Sequence, residues 1–353
     1  MKLLDRYIAG VVIGATGIAL LVIMGLNIFF EVIGQLDDVG KGNYGVVRML
    51  QYVALILPRG IYELFPTAAL LGGLTGMGAL AVNSELIAMR ACGFKVWRIV
   101  SSVLQAGLLM LAIIVPLGEF VAPVAEQLAQ QLRVVALDKR INFMGARGLW
   151  VRDESRYIYA RNVIAKDSLA DMSIFEFDHD WRLTESTHVG KAKYRDGKWV
   201  LRDVHQSLIG VGGVSTRNEE ELIWYTLLTP DLIGVVMLKP ENMAAQDIRQ
   251  FITYLEENGL DTQQYHFALW KRLVTPASSL VMLFITVPFV FGSLRSTGTG
   301  QRIFVGILAG FGFYMLSQLF GQMGLVYNLS PQLVSVTPSL IVLSLGLYAI
   351  RRI

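Results

Sequence analysis

Apolar residues along this chain come in long uninterrupted blocks, and one stretch, residues 140–245, replaces them with alternation of apolar and polar positions. A helix that crosses a membrane needs about 20 mostly apolar residues, because each adds about 1.5 Å against a hydrocarbon core of about 30 Å. Blocks at 9–30, 64–82, 97–121, 270–291, 302–326 and 332–350 meet that requirement and predict six spans. The first block is longer than the apolar region of a signal peptide, and no small-residue cleavage site follows it before Glu31, so it reads as a retained span.

Within 140–245 the runs GLWVR, RYIYAR, MSIFEF and KWVLRDV are rich in Tyr, Ile, Val, Phe and Trp, with turn signals such as DHD and RDGK between them. Period-two runs of β-branched and aromatic residues predict an all-β insert, a sandwich or a related two-sheet domain. The expected division is therefore 1–139 with three spans, 140–245 as the β domain, and 246–353 with three more spans. Ile248, Phe251, Ile252 and Leu255 recur at helical spacing and predict an amphipathic helix leading back to the fourth span.

Composition agrees with a membrane protein: 54% of the 353 residues are hydrophobic and only 17% charged, outside the soluble range. About half of the charged residues fall in the β insert with the two signs nearly balanced, as a folded soluble domain requires. A formal charge of +3, with no basic stripe interleaved with aromatics, gives a nucleic-acid partner no support. Cys92 is the only cysteine, so no internal disulfide forms. Short-loop basic residues favour the cytoplasm, and placing the N-terminus there puts Lys2, Arg6, Arg90, Lys95, Arg98, Arg295, Arg302, Arg351 and Arg352 inside. Both termini are then cytoplasmic and the β insert lies outside.

Catalytic signatures are missing. His179, His188, His205 and His266 are scattered without a metal-ligand spacing, and neither a G-x-S-x-G elbow nor a G-x-x-x-x-G-K-[ST] phosphate loop occurs. No metal or cofactor is expected, and the chain cannot use ATP through a phosphate loop of its own. Ion-coupled transport usually leaves acids deep in the spans. Here Glu63 and Glu119 lie near outward ends, where an interfacial carboxylate in water is the simpler reading. Three small-residue pairs, Gly10 with Gly14, Gly72 with Gly76 and Gly306 with Gly310, allow close helix approach; chance frequency of glycine in membrane helices explains each about as well.

Residues 83–98 face the cytoplasm in this topology and predict a helix of about three turns, with Asn83 or Ser84 as N-cap, Glu85 in the first turn and Gly93 at the C′ position. Leu86, Met89 and Arg90 share one side. Such a helix either docks in a groove of a soluble partner or lies on the bilayer surface.

With these residues in view the chain resembles the inner-membrane permease subunits of the lipopolysaccharide exporter, the LptF/LptG family, and more closely its G-type members. The resemblance rests on LDRYI at 4–8, LPRGIYELFPTAALLGGLTGMGALAVNSELIAMRACGF at 57–94, GEFVAPVAEQLA at 118–129 and FGSLRSTGTGQR at 291–302. It implies a polytopic α-helical protein of six spans with a periplasmic β-jellyroll-like domain. It implies pairing with an F-type paralogue, two copies of a cytoplasmic ATPase subunit, a single-span partner and a periplasmic β-jellyroll bridge. It also implies that Ser84, Glu85 and Leu86, with Met89 and Arg90 beside them, belong to the helix that couples to the ATPase, and that spans one and five admit the lipid sideways.

Basic residues that fall outside against the positive-inside preference, Lys41, Arg59, Arg133, Lys271 and Arg272, suit the phosphates of lipopolysaccharide. Arg133 best matches a family position for ligand contact, and Lys41, Lys271, Arg272 and Tyr327 complete the candidate set, whereas Arg59 and Lys41 pair equally well with interfacial carboxylates. Some relatives carry lysines after the first span, where this chain has Glu31, Asp37 and Asp38. The expected function is a non-catalytic permease subunit of an ATP-driven lipopolysaccharide extractor in the bacterial inner membrane. A standalone ion-coupled lipid transporter or flippase, and a membrane-anchored scaffold, are the competing readings.

Overall fold

The computed structural model describes residues 3–137, 149–153, 156–165, 167–178, 180–210, 213–224, 230, 240, 243–257, 259–291 and 298–352. Lys2, His179, Arg295 and residues 292–297 of the FGSLRSTGTGQR motif lie outside them. The chain divides into two compact units, one of residues 1–39, 45–130 and 263–353, the other of residues 40–44 and 131–262.

Among the described residues six helices are long and apolar enough to cross a membrane. They include α1 (Leu3–Leu36), α2 (Val46–Val82), α7 (Gln263–Phe291), α8 (Thr299–Val326) and α9 (Pro331–Ile350). The remaining one runs through α4 (Val96–Pro116), a π-helical turn at Leu117–Val121 and α5 (Ala122–Ala136). The short α3 (Glu85–Ala91) follows α2. The largest difference from expectation is α2, which begins 18 residues before the predicted span, at Val46 instead of 64. Arg59 and Glu63 argue against a span in a hydropathy window, but one helical turn apart they pair at 2.9 Å, which such a window does not register. The wide turn at Leu117–Val121 has a local cause as well. Pro123 has no N–H for the carbonyl of Glu119 and its ring crowds that oxygen, and one π turn relieves both.

α2 is the hub, with 72% of its most apolar window buried, against 28% for α1 and 11% for α8. A Cβ added to Gly72 would stand 2.2 Å from the Cα of Thr16 in α1, and one on Gly76 3.0 Å from the Ala15 Cβ. Gly306 and Gly310 of α8 bring that helix against Leu71 and Thr67 of α2. Two of the three small-residue pairs are thus interfaces within the chain, whereas Gly10 and Gly14 meet nothing within 4 Å. Around this hub Ile8, Val12, Phe65, Leu74, Met77, Ile99, Val103, Leu283 and Val287 form the core shared by α1, α2, α4 and α7.

In the second unit, β1 (Leu149–Asp153), β2 (Arg156–Ala165), β3 (Ser168–Phe177), β4 (Leu183–Arg195), β5 (Lys198–Gly210) and β6 (Gly213–Trp224) form one antiparallel sheet in sequence order. The described strands make one such sheet, and a second sheet of a sandwich is not among them. Asp196 and Gly197, at φ 50° and 79°, close the β4–β5 hairpin between the paired Arg195 and Lys198, which is the Asp-Gly turn read from RDGK. β5 buries Trp199 and Leu201 and then Val204, because Asp203, at φ 56°, takes one residue out of the alternation. The amphipathic helix is present as α6 (Ala245–Glu257), burying Ile248, Phe251, Ile252 and Leu255 as its spacing predicts, with Tyr254 beside them.

Candidate coupling site

α2 ends at Val82, and Asn83 and Ser84 alone reverse the chain into α3. So tight a reversal puts Ser84 in the left-handed region, at φ 60°, and its side chain caps nothing. The expected hydroxyl cap is therefore corrected; Ser84 contributes its carbonyl, which accepts from the Ala88 N–H at 3.0 Å. The far end follows the sequence reading. Gly93, at φ 85°, donates to the Arg90 carbonyl and Phe94 to the Met89 carbonyl, a pair of bonds that closes the helix after seven residues instead of about three turns.

The two sides of α3 face different surroundings. Leu86, 2% exposed, and Met89, 9% exposed, belong to the same buried core cluster as Met77 and Ile99. Ser84, Ile87, Ala88, Arg90 and Ala91 are exposed, and the Arg90 guanidinium lies over the Phe291 ring at 5.8 Å. A groove of about 260 Å³ runs beside them, lined by Ala81 of α2, Ile87, Arg90 and Ala91 of α3 and Phe291 of α7, with the buried Leu86 and Val290 at its floor. Glu85 is held at the helix start, its Oε2 accepting from the Tyr7 hydroxyl at 2.8 Å. Nearby, Arg302 at the start of α8 is 1% exposed and donates from Nη1 to the Gly78 carbonyl of α2 at 2.8 Å. A Cβ on Gly78 would stand 2.7 Å from that guanidinium, so the glycine is what admits it.

Between Gly78 and Tyr62 of α2, about 24 Å at 1.5 Å per residue, the helix runs back to a second polar group. Arg272 of α7 donates from Nη1 to Glu119 Oε2 at 2.7 Å, and the Tyr62 hydroxyl donates to the Arg272 carbonyl at 2.9 Å. Arg59 pairs with Glu63 and stands 3.7 Å from Glu126, which also accepts from Gln130. The carboxylate-paired reading of Arg59 is the one observed. Glu119 is likewise engaged rather than simply wet.

Of the expected lipid contacts, Lys271 and Arg272 are neighbours on α7, with Lys271 exposed, and Tyr327 is exposed at the end of α8. Lys41 and Arg133 belong to the second unit, Lys41 exposed and Arg133 partly buried near the end of α5. Sequence reasoning missed Tyr7, Arg302 and the Glu119–Arg272 pair, although Tyr7 lies in LDRYI, Glu119 in GEFVAP and Arg302 in FGSLRSTGTGQR. Among the described residues no cluster of three or more His, Cys, Asp or Glu has the placement of a metal site.

The six long apolar helices, with a six-stranded sheet inserted between the third and fourth in sequence, define a multi-pass membrane protein with an inserted β unit. The profile of the family described as "Lipopolysaccharide export system permease LptF/LptG" matches residues 6–352. Lipopolysaccharide export system permease protein LptG of Haemophilus influenzae is 34% identical over 340 residues, covering 96% of this chain and 95% of that protein. The protein of the same description from Escherichia coli K12 is 32% identical over 352 residues, covering 99% and 98%. The chain belongs to the LptF/LptG family, as a non-catalytic permease subunit of a lipopolysaccharide export system in the inner membrane.

Proposed function

We propose that this permease is the transmembrane subunit of an exporter in which a partner ATPase hydrolyses ATP and lipopolysaccharide is drawn from the inner membrane toward a periplasmic β-jellyroll bridge. An F-type paralogue, two ATPase copies and a single-span partner complete the assembly, with both termini cytoplasmic and the β unit periplasmic. The observation that carries this reading is the two-sided α3. Leu86 and Met89 fix it to the core while Ile87, Ala88 and Arg90 stay exposed beside a groove. A helix so fixed transmits a push into the packed spans as a rigid-body shift. Within it Glu85 and Arg90 make the ATPase contact, Ser84 shapes the turn, and Leu86 and Met89 pass the motion inward.

For lipid phosphates the reading keeps Lys271, Arg133, Lys41, Arg272 and Tyr327, of which Arg272 also holds the Glu119 carboxylate. Exchanging Glu85→Lys puts a cation where an acid meets the ATPase, so the partner should no longer co-purify and export should stop. A variant that assembles and exports at the normal rate would refute the coupling assignment.

A further inference from the structure

We propose that Tyr7 is a positioning residue that ties α3 to α1, so that a displacement of α3 by the docked ATPase tilts the first membrane helix. This rests on the coupling reading of α3. The link is one hydrogen bond between residues 78 apart: the Tyr7 hydroxyl donates to Glu85 Oε2 at 2.8 Å. Among the described residues the Oε1 atom meets the Asn83 amide, at 3.5 Å, and it remains for a cation of the ATPase. One carboxylate thereby serves both the partner and α1.

A second grip makes the link directional. Asp5 accepts from Ser102 Oγ of α4 at 2.9 Å and stands 3.9 Å from the Arg98 Nε. Two residues on a helix lie about 200° apart, so α1 is held by α3 on one side and by α4 on the other. Farther along, α1 meets the hub at Thr16, where Gly72 removes the Cβ that would collide with the Thr16 backbone. Beyond that crossing Met24 of α1 packs beside Gly60 of α2 and is buried, as is Gln35, while Leu21, Val22, Leu26, Phe29, Phe30 and Ile33 are exposed. α1 is a continuous helix, so a tilt begun at Tyr7 is carried to Leu36, about 44 Å away at 1.5 Å per residue.

The test uses the complete exporter, purified with its partners and reconstituted with lipopolysaccharide. Tyr7→Phe removes only the hydroxyl. Expected are wild-type amounts of co-purified ATPase and a fall of about fivefold in lipid released per ATP hydrolysed, the equilibrium worth of one net hydrogen bond. Spin labels at Leu36→Cys and Leu333→Cys, with Cys92→Ser, should show a nucleotide-dependent distance change that Tyr7→Phe abolishes. A variant with an unchanged lipid-to-ATP ratio, or with the distance change intact, overturns the link. Should Glu85→Lys itself assemble and export normally, the coupling reading fails instead, and the two failures are told apart by which variant is silent.

Discussion

Arg272→Met separates a structural role for Arg272 from a lipid-binding one. Its side chain is 11% exposed and meets that of Glu119, 29% exposed, at 2.7 Å. At that distance and an effective dielectric constant of about 20 the Coulomb attraction is about 6 kcal/mol, most of it offset by the desolvation of the two ions. Removing the cation alone deletes the attraction and leaves the carboxylate desolvated. Losses of about 3–5 kcal/mol are usual for a buried pair, and the residual exposure of Glu119 brings the expectation to about 2–3 kcal/mol. Thermal unfolding of the purified complex, followed by fluorescence-detected size exclusion, should show that loss for Arg272→Met. Adding Glu119→Gln should recover most of it, because no uncompensated charge remains. Export by the double variant decides the role: normal export assigns Arg272 to holding Glu119. A single variant losing less than about 0.5 kcal/mol, or a double variant no more stable than the single, would refute the reasoning.

Two further substitutions address the packing of each unit. Gly72→Val places atoms where the Thr16 backbone already lies, 2.2 Å from the added Cβ, so α1 and α2 must separate; the yield of folded permease should collapse, whereas Gly10→Val, with nothing within 4 Å, should leave it unchanged. Trp199→Ala empties a fully buried site in the sheet and should cost about 3–5 kcal/mol, read as protease sensitivity confined to residues 149–224.

Much of the fold was legible because its causes are local. Six apolar blocks of spanning length, the Asp-Gly turn at 196–197 and the helical spacing of Ile248, Phe251, Ile252 and Leu255 each carry their signal within a short window. The start of α2 was misjudged because Arg59 and Glu63 look polar in such a window, and the third member of their cluster, Glu126, is 67 positions from Arg59. Three glycine pairs with one spacing have two different fates, and only the positions of Thr16, Leu71 and Thr67 decide which.

The candidate site divides the same way. Sequence alone determined that residues 84–92 hold a short helix with an acid at its start and a glycine at its end, since the glycine stop and the periodicity are properties of neighbouring residues, whereas the Ser84 hydroxyl cap it suggested is absent. Periodicity put Leu86, Met89 and Arg90 on one side, but it cannot say which side is covered. The tertiary structure decided that Leu86 and Met89 belong to the core and that Ile87 and Ala88 are exposed. It also joined Tyr7 to Glu85 across 78 residues and Arg272 to Glu119 across 153. Hydrogen bonds and ion pairs act over about 3–4 Å in space whatever the distance along the chain, so only the packing of the helices can bring such partners together.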